Sequence, residues 1–304
     1  MKLGLLTAPF PETPLNDVAD WSAANGFSML EVCCWPSQTG ETRRYGGITH
    51  IDVDDLSEMR GKEIVAELDE RGIEMSGLAY YPNPLVADGE ERNAVSEHLR
   101  KVISAAAVMG VPVVNTFIGA DERRTQAENW ESAKDLWHPI VDHAKHLGVR
   151  IAIENCPMIF SNDEWPSGKN LAYSPSIWRH MFEEFGDTVG LNFDPSHLVW
   201  QMIDIERVIN EFGERFYHFH AKDLEIDRDG LYNHGIMSLG MGWQVPRLPG
   251  LGDVDWQLVF RALYRVGYEG VICVEHEDRQ FEATDDLVKA GFRLAQNTLA
   301  PYIV

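Results

Sequence analysis

Cysteine is scarce in this chain. Only Cys33, Cys34, Cys156 and Cys273 occur in 304 residues, and three of them sit inside or at the end of apolar runs. No disulfide framework and no thiolate zinc spacing suggests itself, so a reduced, cytoplasmic setting is expected and the Cys33-Cys34 pair reads as core. Basic residues are also few: 26 Lys plus Arg stand against 48 Asp plus Glu, a formal charge of -22. A surface of that sign repels polyanions, which argues against nucleic acid and anionic membrane as partners. No apolar run approaches the roughly 18 residues of a membrane span, and 1–10 lacks a signal-peptide cleavage pattern. No linker-like stretch or charge shift divides the chain, so one domain, 1–304, is expected.

What is present is a core-forming composition, 44% hydrophobic and 24% charged, arranged with a regular alternation. Apolar, β-branched runs at 2–7, 27–34, 73–79, 111–117, 150–154, 189–193, 215–220 and 270–275 read as strands. Segments of helical spacing follow them at 16–25, 56–71, 91–109, 130–147, 176–185, 205–212, 256–266 and 285–299. Gly26, Gly72, Gly110, Gly148, Gly186, Gly213 and Gly267 stand at all seven helix-to-strand joints, where a left-handed residue ends a helix. Eight βα units with near-continuous apolar strands predict a parallel sheet covered on both faces, and a (β/α)8 barrel is its simplest closure. A doubly wound open sheet is the alternative. Long loops are expected after strands two, five and seven, at 35–55, 157–175 and 224–254.

The strand ends carry the chemistry. Strand five ends in Glu154, strand six in Asp194 with Pro195 and His197 beyond it, strand seven in His218-Phe219-His220, and strand eight in Glu275. Proline has no N–H for a ladder, so it halts strand six and leaves Asp194 and His197 at the edge where α/β proteins place active groups. A carboxylate after a strand is often only a helix cap. Glu154 and Glu275, however, end strands whose other residues are core, and a buried carboxylate needs partners. Three carboxylates and an imidazole make a hard donor set: one divalent cation is expected, Mn²⁺ first, with Mg²⁺, Co²⁺ or Zn²⁺ as alternatives. Such an ion could polarise a carbonyl and stabilise an enediolate while a Glu on each side moves the proton.

The ordered set Glu154, Asp194-x-x-His197, His218-x-His220 and Glu275 resembles the xylose-isomerase-like barrel superfamily, in particular its sugar phosphate isomerase/epimerase group. The resemblance spans nearly the whole chain. It implies that Glu154, Asp194, His220 and Glu275 hold the ion, that Glu154 and Glu275 are the catalytic proton carriers, and that His197 touches substrate. It also implies a sugar or keto-sugar substrate and a homo-oligomer. Ketose 3-epimerases of this group carry a Glu and an Arg where Phe160 and Ile226 stand here, which departs from a simple free-ketose epimerase. The long segment 224–254, with His234, Trp243, Gln244, Arg247 and Asp253, resembles inserts in members acting on 3-keto-sugars or glycosides, including C-glycoside deglycosylase subunits; a hetero-partner would follow from that.

Lys222, Asp223, His234 and Arg247 complete the expected substrate contacts. His218 is expected to pack inside the barrel and His276 to point away from Glu275 by strand alternation. Trp35, Trp165, Trp200 and Trp243 are loop aromatics on which a sugar could stack, although aromatics in loops more often pack. His50, His98, His138, His143, His146 and His180 read as ordinary. The leading function is a metal-dependent isomerase or epimerase. The alternative is a lyase cleaving 3-keto-glycosides by β-elimination. An apurinic endonuclease and a non-catalytic binding subunit complete the set.

Overall fold

The computed structural model describes residues 1–37, 45–159, 168–236 and 242–304. Eight strands, β1 (Lys2–Leu6), β2 (Met29–Cys33), β3 (Glu74–Ala79), β4 (Val113–Thr116), β5 (Arg150–Glu154), β6 (Val189–Phe193), β7 (Phe216–Ala221) and β10 (Val271–Val274), form a closed, wholly parallel barrel. Closure comes from β10, which pairs with β7 on one side and with β1 on the other. The barrel sheet has no edge, and the doubly wound alternative falls with it.

Each strand feeds a helix, α1 (Leu15–Ala24), α2 (Glu58–Asp69), α3 (Gly89–Met109), α4 (Gln126–Leu147), α5 (Pro175–Phe185), α7 (Ile205–Phe212), α9 (Trp256–Arg265) and α10 (Asp285–Leu299). These helices form because their apolar residues recur on one stripe, and all but α1 and α5 have a first turn capped by a side chain. In α10, for example, Val288, Gly291, Phe292, Ala295 and Leu299 face inward, and the Thr284 side chain accepts from Leu287 N–H. Helix α4 starts four residues before the expected position, because Thr125 and Glu128 build a reciprocal capping box. Trp137 anchors α4 by donating its indole N–H to Ile118 O at 2.9 Å.

Gly110 and Gly148 end α3 and α4 in the left-handed region, φ 71° and 70°. Gly213 departs from the expected pattern: its φ is -55°, and the chain runs on into a 3-10 turn. A Cβ there would lie 2.6 Å from Val266 Cγ2. Close packing, not handedness, accounts for that glycine.

Two elements replace expected loops. A short helix, α6 (Ser196–Gln201), follows β6 directly. The segment after β7 is a built subdomain in which β8 (Asp223–Ile226) and β9 (Gln244–Arg247) pair antiparallel, with α8 (Arg228–His234) between them. Leu224, Trp200 and Trp243 bury against one another beneath it.

Candidate functional site

The C-terminal strand ends are fixed by side-chain amides that extend the ladders. Asn155 donates to Asp194 O at 2.8 Å and accepts from Asp194 N–H at 2.7 Å, tying the end of β5 to the end of β6. Asn170 donates to Glu154 O and Cys156 O and accepts from Gly119 N–H. Asp194 then turns one oxygen onto Ser196 N–H at 2.8 Å and keeps Oδ2 for the site. Helix α6 places His197 with Nε2 3.1 Å from Asp194 Oδ2 and 3.4 Å from Glu154 Oε1.

Alternation along β7 turns His218 and His220 inward, and Lys222 follows on the same face. The Lys222 ammonium is the centre of the acidic cluster: Nζ lies 2.7 Å from Glu275 Oε2, 3.0 Å from Asp194 Oδ2, 3.3 Å from Glu277 Oε2 and 4.0 Å from Glu154 Oε1. His220 Nδ1 is 3.1 Å from Glu275 Oε2 and 3.7 Å from Glu154 Oε2. Glu154, Asp194, His197, His220, Lys222 and Glu275 are all buried. Six of the nine residues expected at the site therefore stand together.

The other three stand apart from them. The Asp223 carboxylate accepts from Leu224, Gly250 and Val254 N–H and from the Trp256 indole, all at 2.8–2.9 Å. It holds the subdomain rather than facing the acidic cluster, because the folded segment needs an acceptor for those donors. Arg247 pairs with Glu225 at 2.6 Å and Asp278 at 3.4 Å. His234 is exposed at the end of α8. Trp200 and Trp243 pack edge to face at 6.3 Å and Trp35 against Tyr80 at 5.7 Å, while Phe160 and Trp165 lie outside the described residues. Ile226 is in β8. His276 is buried edge-on to Phe292, away from the cluster.

Two residues at the site escaped sequence reasoning. Glu277 follows Glu275 by two, so strand-like alternation was its available signal. Glu31 is fully buried in the middle of β2, with Oε2 2.6 Å from His220 Nε2 and Oε1 accepting from Tyr81 Oη at 2.6 Å. A lone acid inside Met-Leu-Glu-Val-Cys was its signal.

Charge is apportioned unevenly. Burial and repulsion from Glu275 push the Glu154 carboxyl up. Burial also acts to raise Asp194 and Glu275, but Lys222 with His197 or His220 outweighs it and both sit below their ordinary range. Burial opposes charge on His220 and Lys222, yet the surrounding carboxylates hold both well above their usual values. His218 goes the other way, lowered to about 4, chiefly by burial.

The donor set fits a divalent cation. One ligand atom each from Glu154, His220 and Glu275 lies within 4.8 Å of the others, and Asp194 Oδ2 and His220 Nδ1 are buried without an aligned hydrogen bond among the described residues. Lys222 draws on the same oxygens. Glu31, His218, His220 and Glu154, Cys156, His197 make two further close triads, the first already internally hydrogen-bonded.

A closed parallel barrel with its ionisable groups gathered at the C-terminal strand ends defines a (β/α)8 barrel of the enzyme type. The chain belongs to the xylose isomerase-like TIM barrel family, whose profile matches residues 19–298. YfiH of Bacillus subtilis (strain 168) is 26% identical over 311 residues, covering 91% of this chain and 93% of that protein. Inosose dehydratase of Geobacillus thermodenitrificans is 30% identical over 146 residues, about half of each chain (47% and 48%). Among solved structures, D-psicose 3-epimerase with D-tagatose from Clostridium cellulolyticum H10 aligns with TM-score 0.71 at 16% identity over 100% and 99% of the chains. IOLI protein with a binding zinc atom aligns with TM-score 0.70 at 18% identity over 99% of each. No helix among the described residues is long and apolar enough to cross a membrane.

Proposed function

We propose that the protein is a divalent-metal-dependent isomerase or epimerase of a sugar or keto-sugar, working by proton transfer next to a carbonyl. The observation that carries this is the pair Glu154 and Glu275, both buried and both beside His220 Nδ1. Two carboxyls held so close are suited to take and return a proton in one step. One takes the proton from the carbon next to the carbonyl and the other returns one. Glu154, Asp194, His220 and Glu275 would hold the ion, and their oxygen-rich character favours Mn²⁺. When bound, that ion supplies a Lewis acid for the carbonyl oxygen and offsets the charge of the enediolate. His197 and Lys222 line the same space and would receive substrate hydroxyls. The D-psicose 3-epimerase and zinc-bound IOLI structures support the reading through fold.

A second reading is favoured by the inosose dehydratase relatives and by Lys222. The same carbanion-like intermediate can expel a β-substituent, and a buried ammonium can protonate the departing oxygen, giving loss of water or release of an aglycone from a 3-keto-glycoside. One assay separates the two. Metal-loaded protein is incubated in D₂O with a panel of ketoses, keto-sugars and inososes, and products are weighed by mass spectrometry. Deuterium at the carbon next to the carbonyl in a product otherwise unchanged supports the isomerase. A product lighter by one water, or a free aglycone, supports the lyase, and no exchange with any substrate refutes both.

A further inference from the structure

Glu31 lies one layer below the site, in register with Leu6 on one side and Gly77 on the other. A charge buried at that depth is costly unless both oxygens are matched. Asn192 Nδ2 at 3.1 Å and Tyr81 Oη at 3.4 Å also stand near His220 Nε2, so the donors are assigned from the carboxylate, the strongest acceptor in the group. Ionised Glu31 can only accept, so Tyr81 O–H donates to Oε1 and His220 Nε2–H donates to Oε2. The Tyr81 oxygen therefore receives from Asn192 Nδ2 at 2.9 Å. That orientation leaves Asn192 Oδ1 to accept from His218 Nδ1 at 2.9 Å. Nε2 of His218 is then unprotonated and accepts from Ser76 Oγ at 3.0 Å. Residues from β3, β7 and β6, with Tyr81 just beyond β3, thus form a directed chain that ends on His220 through Glu31. Every link is buried or partly so.

We infer that Glu31 is a positioning residue: it fixes His220 with Nε2–H on its own carboxylate and Nδ1 toward Glu154 and Glu275, and the chain Ser76, His218, Asn192 and Tyr81 fixes Glu31 in turn. The consequence for ion binding rests on the metal reading above, whereas the orientation of the ring does not. Without Glu31, the remaining neighbours of Nε2 are the Asn192 amide at 3.1 Å and Tyr81 Oη at 3.4 Å, and an amide N–H favours an unprotonated Nε2, the opposite ring state. A carboxylate on the far nitrogen also makes an imidazole a better donor, and loss of such a partner commonly costs about 10- to 100-fold in metal affinity.

The test uses ¹⁵N-histidine-labelled full-length protein, wild type, Glu31→Gln and Tyr81→Phe, with Mn²⁺ affinity by calorimetry, Tm, and the imidazole N–H region of the proton spectrum in the metal-free state. The expected wild-type signature is a far-downfield, slowly exchanging Nε2–H signal from His220. Glu31→Gln should move or lose it and weaken Mn²⁺ binding by about 10- to 100-fold; Tyr81→Phe should shift it less and weaken binding by a smaller factor. A wild type without that signal overturns the inference whatever the ion does, as does a variant whose Tm falls while signal and affinity stay unchanged. If the signal behaves as expected but wild type binds no divalent ion, the metal reading falls and the positioning of His220 stands. Should Glu31→Gln fail to fold, Tyr81→Phe, which keeps Glu31 in place, carries the same readouts.

Discussion

The two halves of the barrel end differently. Strands β1 to β4 finish in Leu6, Cys33, Ala79 and Thr116, whereas β5, β6, β7 and β10 lead into Glu154, Asp194, Lys222 and Glu275. The ionisable strand-end groups of the candidate site lie on one side of the rim. The first half contributes from beneath instead, through Glu31 and Ser76 within its strands and Tyr81 just past β3. One half thus holds the candidate reacting groups, and by the inference above the other orients one of them. A site can be asymmetric although its scaffold repeats eightfold.

The strongest way to break that division is Asp194→Ala. It removes a candidate ligand and the partner of both His197 and Lys222, so bound metal by elemental analysis and activity should be lost together while the far-ultraviolet circular dichroism is kept. An active, metal-replete variant would remove Asp194 from the site. Next, Glu154→Gln and Glu275→Gln should each lower kcat by about 10²- to 10⁴-fold, the usual contribution of a positioned acid or base, with deuterium exchange as the readout. In the apolar half, Leu30→Ala empties a fully buried position and should cost about 2–5 kcal/mol in urea unfolding. Metal content per folded protein should not change; if it does, the halves are more closely coupled than drawn.

A smaller effect is expected at Asp223→Asn, where an amide replaces an acceptor of four donors. Stability should fall by about 1–3 kcal/mol, with faster amide exchange confined to 223–256. The smallest effect belongs to His50, in the first half. Burial lowers its pKa below 6.5, and Nε2 faces Phe10 O and Thr13 O. Between the folded value and 6.5 the unfolded chain binds a proton that the folded one does not, so stability rises with pH in that window and is lost as pH falls through it. His50→Gln should flatten the unfolding midpoint against pH there.

The barrel was legible because its signal repeats: strand runs and helical stripes alternate eight times, and their local preferences agree with the closed sheet. Glu154, Asp194, His220 and Glu275 were legible for a related reason, since each breaks an apolar pattern at the same place in its unit. Glu31 breaks a pattern too, but in mid-strand, where a search of strand ends does not look. Its partner is 189 residues away, so only the closed barrel brings them together. Asp223 misled because closeness in sequence to Lys222 says nothing about which way a carboxylate turns, and Arg247 because it was drawn in by the resemblance of the segment 224–254, where it pairs instead with Glu225 and Asp278. The folding of 224–254 into a hairpin and helix, with its own demand for acceptors, decided that.

The ammonium of Lys222 gives the acidic cluster a tethered counter-ion. On the proposed metal reading, loading such a site would be an exchange, in which a dication displaces a monovalent charge that cannot diffuse away. Without an ion, Lys222 offsets the negative charge of the pocket, at the expense of some affinity for the proposed ion. Replacing Lys222 with a neutral residue of similar length would reverse that balance, trading stability of the empty barrel for tighter capture of the ion.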